Sequence, residues 1–93
     1  MSFELAFLES ALAEWHGLDG SLKAQFKKKL AERLLDPRVP SAKLHGHPDR
    51  YKIKLRSIGY RLVYEVQDQR LIVLVVAIGK CDKNAVYKAA AQR

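Results

Sequence analysis

The sequence predicts a small α+β fold whose chain runs β-α-α-β-β-β-α, a mainly antiparallel twisted sheet packed by helices. Three observations predict it: two early segments repeat apolar residues at helical spacing, three later ones carry strand patterns joined by short links, and the last returns to helix formers. At 93 residues and 48% apolar content, the chain can bury one modest core, so 1–93 is read as a single domain.

Phe3, Leu5 and Phe7 alternate with polar or small residues and read as a short strand. Leu8, Leu12, Trp15 and Leu18 follow helical spacing up to about Gly17 or Asp19. Leu22, Phe26, Leu30 and Leu34 recur every four residues in a second helix, whose other faces carry Lys23, Lys27, Lys28, Lys29 and Arg33, read as solvated. Asp36 and Pro37 end it, because the residue before proline is pushed out of the helical region. A loop with Pro40, Gly46 and Pro48 leads to "YKIKLRSIGYRLVY", Tyr51 to Tyr64, which reads as a hairpin.

Tyr51, Ile53 and Leu55 point to one side of the first hairpin strand and Tyr60, Leu62 and Tyr64 to the same side of the second. Matching these faces sets Leu55 opposite Tyr60, Ile53 opposite Leu62 and Lys54 opposite Arg61. The turn is then Arg56-Ser57-Ile58-Gly59, with Gly59 taking positive φ, since β-branched Ile58 resists it. From Leu71 to Ile78 the apolar run does not alternate, which implies a central strand covered on both faces. Gln67 to Arg70 link it to the hairpin as the third strand of a meander, with Val66 opposite Leu71, a register that puts Lys80 on the face of Arg61. Asp82 and Asn84 are capping residues for a last helix from Ala85 to about Ala91, which carries Tyr87. The helices are expected to cover one face of the sheet.

Lys and Arg number 17 against 10 Asp and Glu, giving +7 and a pI near 9.8, which favours polyanionic partners. Glu4, Glu9, Glu14 and Asp19 are unopposed in the first twenty residues, whereas Lys43, Arg50, Lys52, Lys54, Arg56 and Arg61 face only Asp49 in residues 43–61. Two cations directly opposite, as at Lys54 and Arg61, destabilise a sheet by themselves. Grouped with Lys52 and without an acid, they predict an anion site. Cys81 is the single cysteine, so no internal disulfide forms, which suits a reducing cytosol. Glu4 and Glu9 interrupt any signal-peptide pattern, and the longest apolar stretch, Leu71 to Gly79, is too short to span a membrane. A cytoplasmic protein is expected.

His45 and His47 flank Gly46 at a spacing that metal pairs and histidine acid–base pairs both use, but only Cys81 and Asp49 are at hand to extend the set, so loop histidines and no metal are expected. Cys81 has no evident activating histidine. Gly-rich phosphate loops, Ser/His/Asp signatures and paired carboxylates are absent from the sequence, and no cofactor is expected.

The segments "AEWHGLDG", "KKKLAERLLDPRVPSAKLHG", "PDRYKIKLRSIGYRLVYEV" and "VVAIGKCDKNAVY" resemble the RelE family of bacterial toxin–antitoxin toxins, over Leu12 to Tyr87 at least. The resemblance implies a fold related to small microbial ribonucleases and a ribosome-dependent, metal-independent endoribonuclease. Such an enzyme cleaves mRNA in the A site of the 30S subunit by 2′-hydroxyl attack, leaving a 2′,3′-cyclic phosphate. It also implies a RelB-like antitoxin as partner, with operator DNA bound only through the toxin–antitoxin complex, and no membrane.

Carried onto this chain, the resemblance makes Lys54 the general base, Lys52 and Arg61 the stabilisers of phosphorane charge, and Tyr87 the residue that orients the substrate. An ordinary lysine titrates near about 10.4, so neighbouring cations that disfavour its charged form would help it act as a base. Lys43, His45, Arg50, Arg56 and Lys80 are the expected RNA- and ribosome-binding residues. His45 and Cys81 stand where the family usually has arginine, the first beside an mRNA or 16S rRNA phosphate, the second as general acid. Cysteine is neither a permanent cation nor a bidentate phosphate ligand, so attenuated activity is expected, with Lys80 as a partial substitute. Two alternatives stand beside this reading. A ParE-like inhibitor of DNA gyrase would lack the Lys52, Lys54, Arg61 and Tyr87 set. A plain basic RNA-binding module would expose aromatics for stacking, whereas Tyr51, Tyr60 and Tyr64 fall on the apolar side.

Overall fold

Each segment forms the element its pattern predicts in the computed structural model, which describes residues 2–55, 59–80 and 85–93. The order is β1 (Glu4–Phe7), α1 (Glu9–His16), α2 (Gly20–Leu35), a 3-10 turn (Pro40–Ala42), β2 (Arg50–Leu55), β3 (Tyr60–Gln67), β4 (Ile72–Lys80) and α3 (Ala85–Ala91). Asp19 caps α2 by accepting a hydrogen bond from the Leu22 amide at 2.9 Å, and Asp36, before Pro37, ends it in a non-helical conformation.

The described strands form one sheet in the order β1-β4-β3-β2, with β1 parallel to β4 and the other pairs antiparallel. The hairpin has the register that face-matching predicts: Leu55 opposite Tyr60, Ile53 opposite Leu62, Lys54 opposite Arg61. Gly59 takes a φ of 76°, as expected, while Arg56, Ser57 and Ile58 of the predicted turn lie outside the described residues, as do the capping residues Asp82 and Asn84.

The third strand departs from expectation in register. Val66 pairs with Val73 rather than Leu71, because the link turns through Leu71, whose φ is 53°. Further along, Tyr64 faces Val75 and Val63 faces Ala77, so Val76 is an extra residue, a β-bulge. Side chains before and after it obey opposite parities. Val73, Val75 and Ile78 face one side of the sheet, and Val76 and Ala77 the other.

The expectation that helices cover one face is corrected by this arrangement. On one side α1 and α2 bury Ala11, Trp15, Leu22, Phe26 and Leu30 against Ile53, Leu62, Tyr64, Val73 and Val75, with Trp15 between Phe7 and Phe26 at centroid distances of 5.5 and 6.5 Å. On the other side α3 lays Val86 and Ala90 on Val63, Val76 and Ala77. The reason is the unbroken apolar run of β4, which leaves hydrophobic side chains on both faces and so needs cover on both. Fully burying a side chain such as Phe26 contributes about 1.5–3 kcal/mol. No helix among the described residues is long and apolar enough to cross a membrane.

Candidate active site

β2 is an edge strand, so its polar face is bounded by solvent on one side and by β3 on the other. Alternation puts Arg50, Lys52 and Lys54 on that face at intervals of about 6.6 Å, opposite the buried Tyr51, Ile53 and Leu55. β3 contributes Arg61 directly across from Lys54, and buried Val63 across from Lys52. The same face carries α3. The predicted cluster of Lys52, Lys54 and Arg61 therefore forms, on the rim left uncovered by the last helix.

Arg61 is held in an unusual way. Its Nη1 donates to the Tyr60 carbonyl at 3.2 Å, and its Nε is buried with no hydrogen-bond partner among the described residues. A buried donor of a cation without an acceptor costs stability and is uncommon in folded proteins. Lys54 and Arg61 thus combine like charge across the strands with an N–H unsatisfied among the described residues, and an arriving anion would relieve the like-charge repulsion.

The remaining candidates divide between two neighbouring places. Tyr87 is half-buried on α3 and lines a cleft of about 470 Å³ with Leu44, His45, His47 and Arg50. Within it Arg50 is committed to structure. Its Nε donates to Glu65 at 3.2 Å and its Nη1 donates to the Ala90 carbonyl, which ties the C-terminal turn of α3 to the sheet. His45 is exposed, whereas His47 accepts a hydrogen bond from the Asp49 amide at 3.2 Å. Lys43 is exposed and forms a β-bridge with Tyr51. The second place is a groove of about 280 Å³ lined by Arg33, Ser41, Ala42, Lys52 and Lys54.

Two expectations change. Lys80 does not share the face of Arg61: the bulge shifts the pairing so that Lys80 faces Tyr60 and Gly79 faces Arg61, which leaves Lys80 exposed on the other side. Arg33 is not a solvated helix residue like Lys27, Lys28 and Lys29. Its Nη1 donates to the Tyr64 hydroxyl at 2.9 Å and to the Lys52 carbonyl at 3.2 Å. Spacing gave no signal of this, because Lys29 stands three residues after buried Phe26 just as Arg33 does after buried Leu30, and Lys29 is exposed. Cys81 and Arg56 lie outside the described residues.

The tyrosines fall where the pattern predicts. Tyr51 and Tyr64 are buried and stacked at 5.8 Å, so neither presents a face for base stacking, and Tyr60 is half-buried against the same core. Burial raises the Tyr64 hydroxyl above its ordinary value of 10.0, opposed by the Arg33 hydrogen bond. That hydroxyl donates to the Pro37 carbonyl at 2.7 Å. Among the described residues no three His, Cys, Asp or Glu side chains are grouped to hold a metal ion.

Comparison with known proteins places this geometry. Residues 5–85 match the family described as the ParE toxin of the type II toxin–antitoxin system parDE. The chain is 50% identical over 93 residues to the mRNA interferase toxin RelE of Escherichia coli K12 and to the mRNA interferase RelE of Shigella flexneri, in each case covering 100% of this chain and 98% of the relative. Among solved structures it resembles an E. coli RelE variant with two arginines replaced by alanine, in the free state, with a TM-score of 0.92 at 49% identity over 100% of this chain and 98% of that one. The same variant in complex with an antitoxin RelBc peptide gives a TM-score of 0.85 at 50% identity, over 97% of this chain and 95% of that one. The ParE match marks the superfamily and the full-length identity marks the branch: this chain belongs to the RelE family of type II toxin–antitoxin toxins.

Proposed function

We propose that this chain, acting as a single toxin domain in the cytoplasm, cleaves mRNA in the A site of the ribosome without a metal and is neutralised by a RelB-like antitoxin, through which alone it reaches operator DNA. The observation that carries the reading is the cross-strand pairing of Lys54 with Arg61 beside Lys52, with the Arg61 Nε buried and unpartnered among the described residues. Half identity to RelE proteins named as mRNA interferases supports it.

In this reading Lys54 takes the proton of the 2′-hydroxyl. The 2′-oxygen attacks the adjacent phosphorus, the P–O5′ bond breaks, and the products are a 2′,3′-cyclic phosphate and a 5′-hydroxyl. Arg61 and Lys52 stabilise the additional negative charge of the phosphorane, an electrostatic contribution that needs preorganised donors. Tyr87, at the cleft beside Arg50, orients the nucleotide. Protonation of the departing 5′-oxygen is the weak step, because Cys81 stands where the family has arginine, and Lys80 on the opposite face is not its substitute. Lys43, His45 and Arg56 contribute to RNA contact. Arg50, held by Glu65 and Ala90, serves chiefly by fixing α3.

Mapping of mRNA 5′ ends after brief induction, together with purified protein on naked RNA and on programmed ribosomes, tests this. Cuts in frame with codons and cleavage only on ribosomes are expected. DNA damage with intact mRNA would transfer the protein to the gyrase-inhibiting reading, and efficient cleavage of naked RNA would overturn ribosome dependence.

A further inference from the structure

Resting on the reading of the chain as an mRNA-cleaving toxin, we propose that the groove formed by Arg33, Ser41, Lys52 and Lys54 binds an RNA phosphodiester next to the one that is cut. The groove encloses about 280 Å³ at the outer edge of β2, and the described residues that line it include three cations and no carboxylate. Lys54 belongs both to this groove and to the pair with Arg61, so the two anion positions adjoin.

Arg33 is the residue that makes the groove more than a basic surface. Its guanidinium is half-buried and anchored through Nη1 alone, to the Tyr64 hydroxyl and the Lys52 carbonyl, with Tyr64 in turn fixed on the Pro37 carbonyl. It lies 5.8 Å from the centroid of the Tyr64 ring. Its Nε and Nη2 make no hydrogen bond to a described residue, and no carboxylate among the described residues is within ion-pair distance. Arginine is almost never fully buried without a partner, and a partly buried one gains from an anion too. Here no described residue supplies one, while the side chain is already oriented and two N–H-bearing nitrogens are left for a bidentate contact, which suits phosphate oxygens. The Lys52 backbone holds Arg33 while its side chain lines the same groove, so filling the groove and positioning β2 are linked.

A phosphodiester of the mRNA and one of the ribosomal RNA share this chemistry, and the test separates them. Binding to ribosomes programmed with a 2′-O-methylated A-site codon, which cannot be cut, is measured across salt concentrations. Arg33→Met keeps the apolar stem and removes the fork; it should lower the log–log salt slope by about 0.7. On cleavable mRNA its KM should rise about tenfold, with a smaller change in kcat. Arg33→Lys should restore the slope but not the full affinity. Ser41 is exposed, so Ser41→Glu should weaken binding at unchanged melting temperature, and it decides the matter if Arg33→Met unfolds. With mRNA truncated before the A-site codon, a slope difference that persists assigns the phosphate to ribosomal RNA, and one that vanishes assigns it to mRNA. If the parent cuts mRNA while Arg33→Met and Ser41→Glu keep its slope and KM, the groove proposal alone is overturned. If the parent cuts no mRNA, the underlying reading fails first and takes the groove with it.

Discussion

Replacing Arg61 with methionine should make the protein more stable and less active at once. Methionine preserves an unbranched apolar stem where the arginine stem packs. It removes the Nε that is buried without a partner among the described residues, and the cation opposite Lys54. Relief of an unsatisfied buried donor is worth about 1–3 kcal/mol, and relief of a directly opposed like charge about 0.2–1 kcal/mol, the latter trimmed by water at this partly exposed pair. Loss of the bond to the Tyr60 carbonyl, at about 1 kcal/mol, works the other way. The net expectation is a gain of about 1 kcal/mol, or about 4–8 °C in Tm for a domain of this size. Cleavage on programmed ribosomes should fall about 10²–10³-fold, the usual effect of deleting one preorganised donor to a developing anion. Calorimetry and single-turnover cleavage on the same preparation check both halves. A Tm equal to or below the parent's would show that Arg61 stores no cost in the resting protein, and the electrostatic account of the site would fail.

The Tyr64 hydroxyl links Arg33 to Pro37, so Tyr64→Phe should cost about 1–3 kcal/mol in urea unfolding by leaving a buried carbonyl without its donor. Because burial raises the Tyr64 pKa in the folded state, the folded protein holds that proton more tightly than the unfolded chain. This contribution to stability is complete below pH 10.0 and is lost as pH rises through the higher folded value, so Tyr64→Phe should flatten the alkaline limb of a stability–pH curve. Phe26→Ala removes a fully buried ring that packs on Trp15 and should lower stability by about 3–5 kcal/mol, read as a shift in denaturant midpoint with unchanged slope. Cys81→Arg should speed cleavage by about 10²–10⁴-fold and arrest growth sooner at similar Tm, the range expected for restoring a general acid; equal rates in the two forms would show that another group already protonates the 5′-oxygen.

The hairpin was the most legible part of the chain. Period-two alternation in "YKIKL" and "YRLVY" leaves one register that buries both apolar sets, and that register is the one observed. The placement of the tyrosines in the core came from the same alternation. β4 was legible as a central strand but not in its internal phase, because the apolar and small run from Leu71 to Gly79 has no alternation to announce where an extra residue sits. From that gap came the error over the face of Lys80; the expectation of helices on one face was a separate error, since the same apolar run already called for cover on both. Arg33 was misjudged for a different reason. A helix of 16 residues with lysines on most of its surface makes every cation look solvated, and only tertiary contact with the Lys52 carbonyl and Tyr64 singles this one out. The site as a cluster was readable from charge; the roles within it came from family resemblance.

The bulge at Val76 also decides how much charge the chain can bring to the cationic rim of β2 and β3. Without it Lys80 would point to the same side as Lys54 and Arg61, and Ile78, now 4% exposed beneath the first two helices, would turn out towards α3. Straightening the strand at constant length would therefore rewire the electrostatics and unpack the interior in a single event, whereas deleting the one extra residue would leave the flanking side chains on their present faces. Gly79, whose absent Cβ would come to 3.8 Å from Val86, marks where the inverted half-strand meets the last helix. An irregularity of the backbone, rather than the choice of any side chain, thus sets an upper limit on the positive potential that RNA would meet.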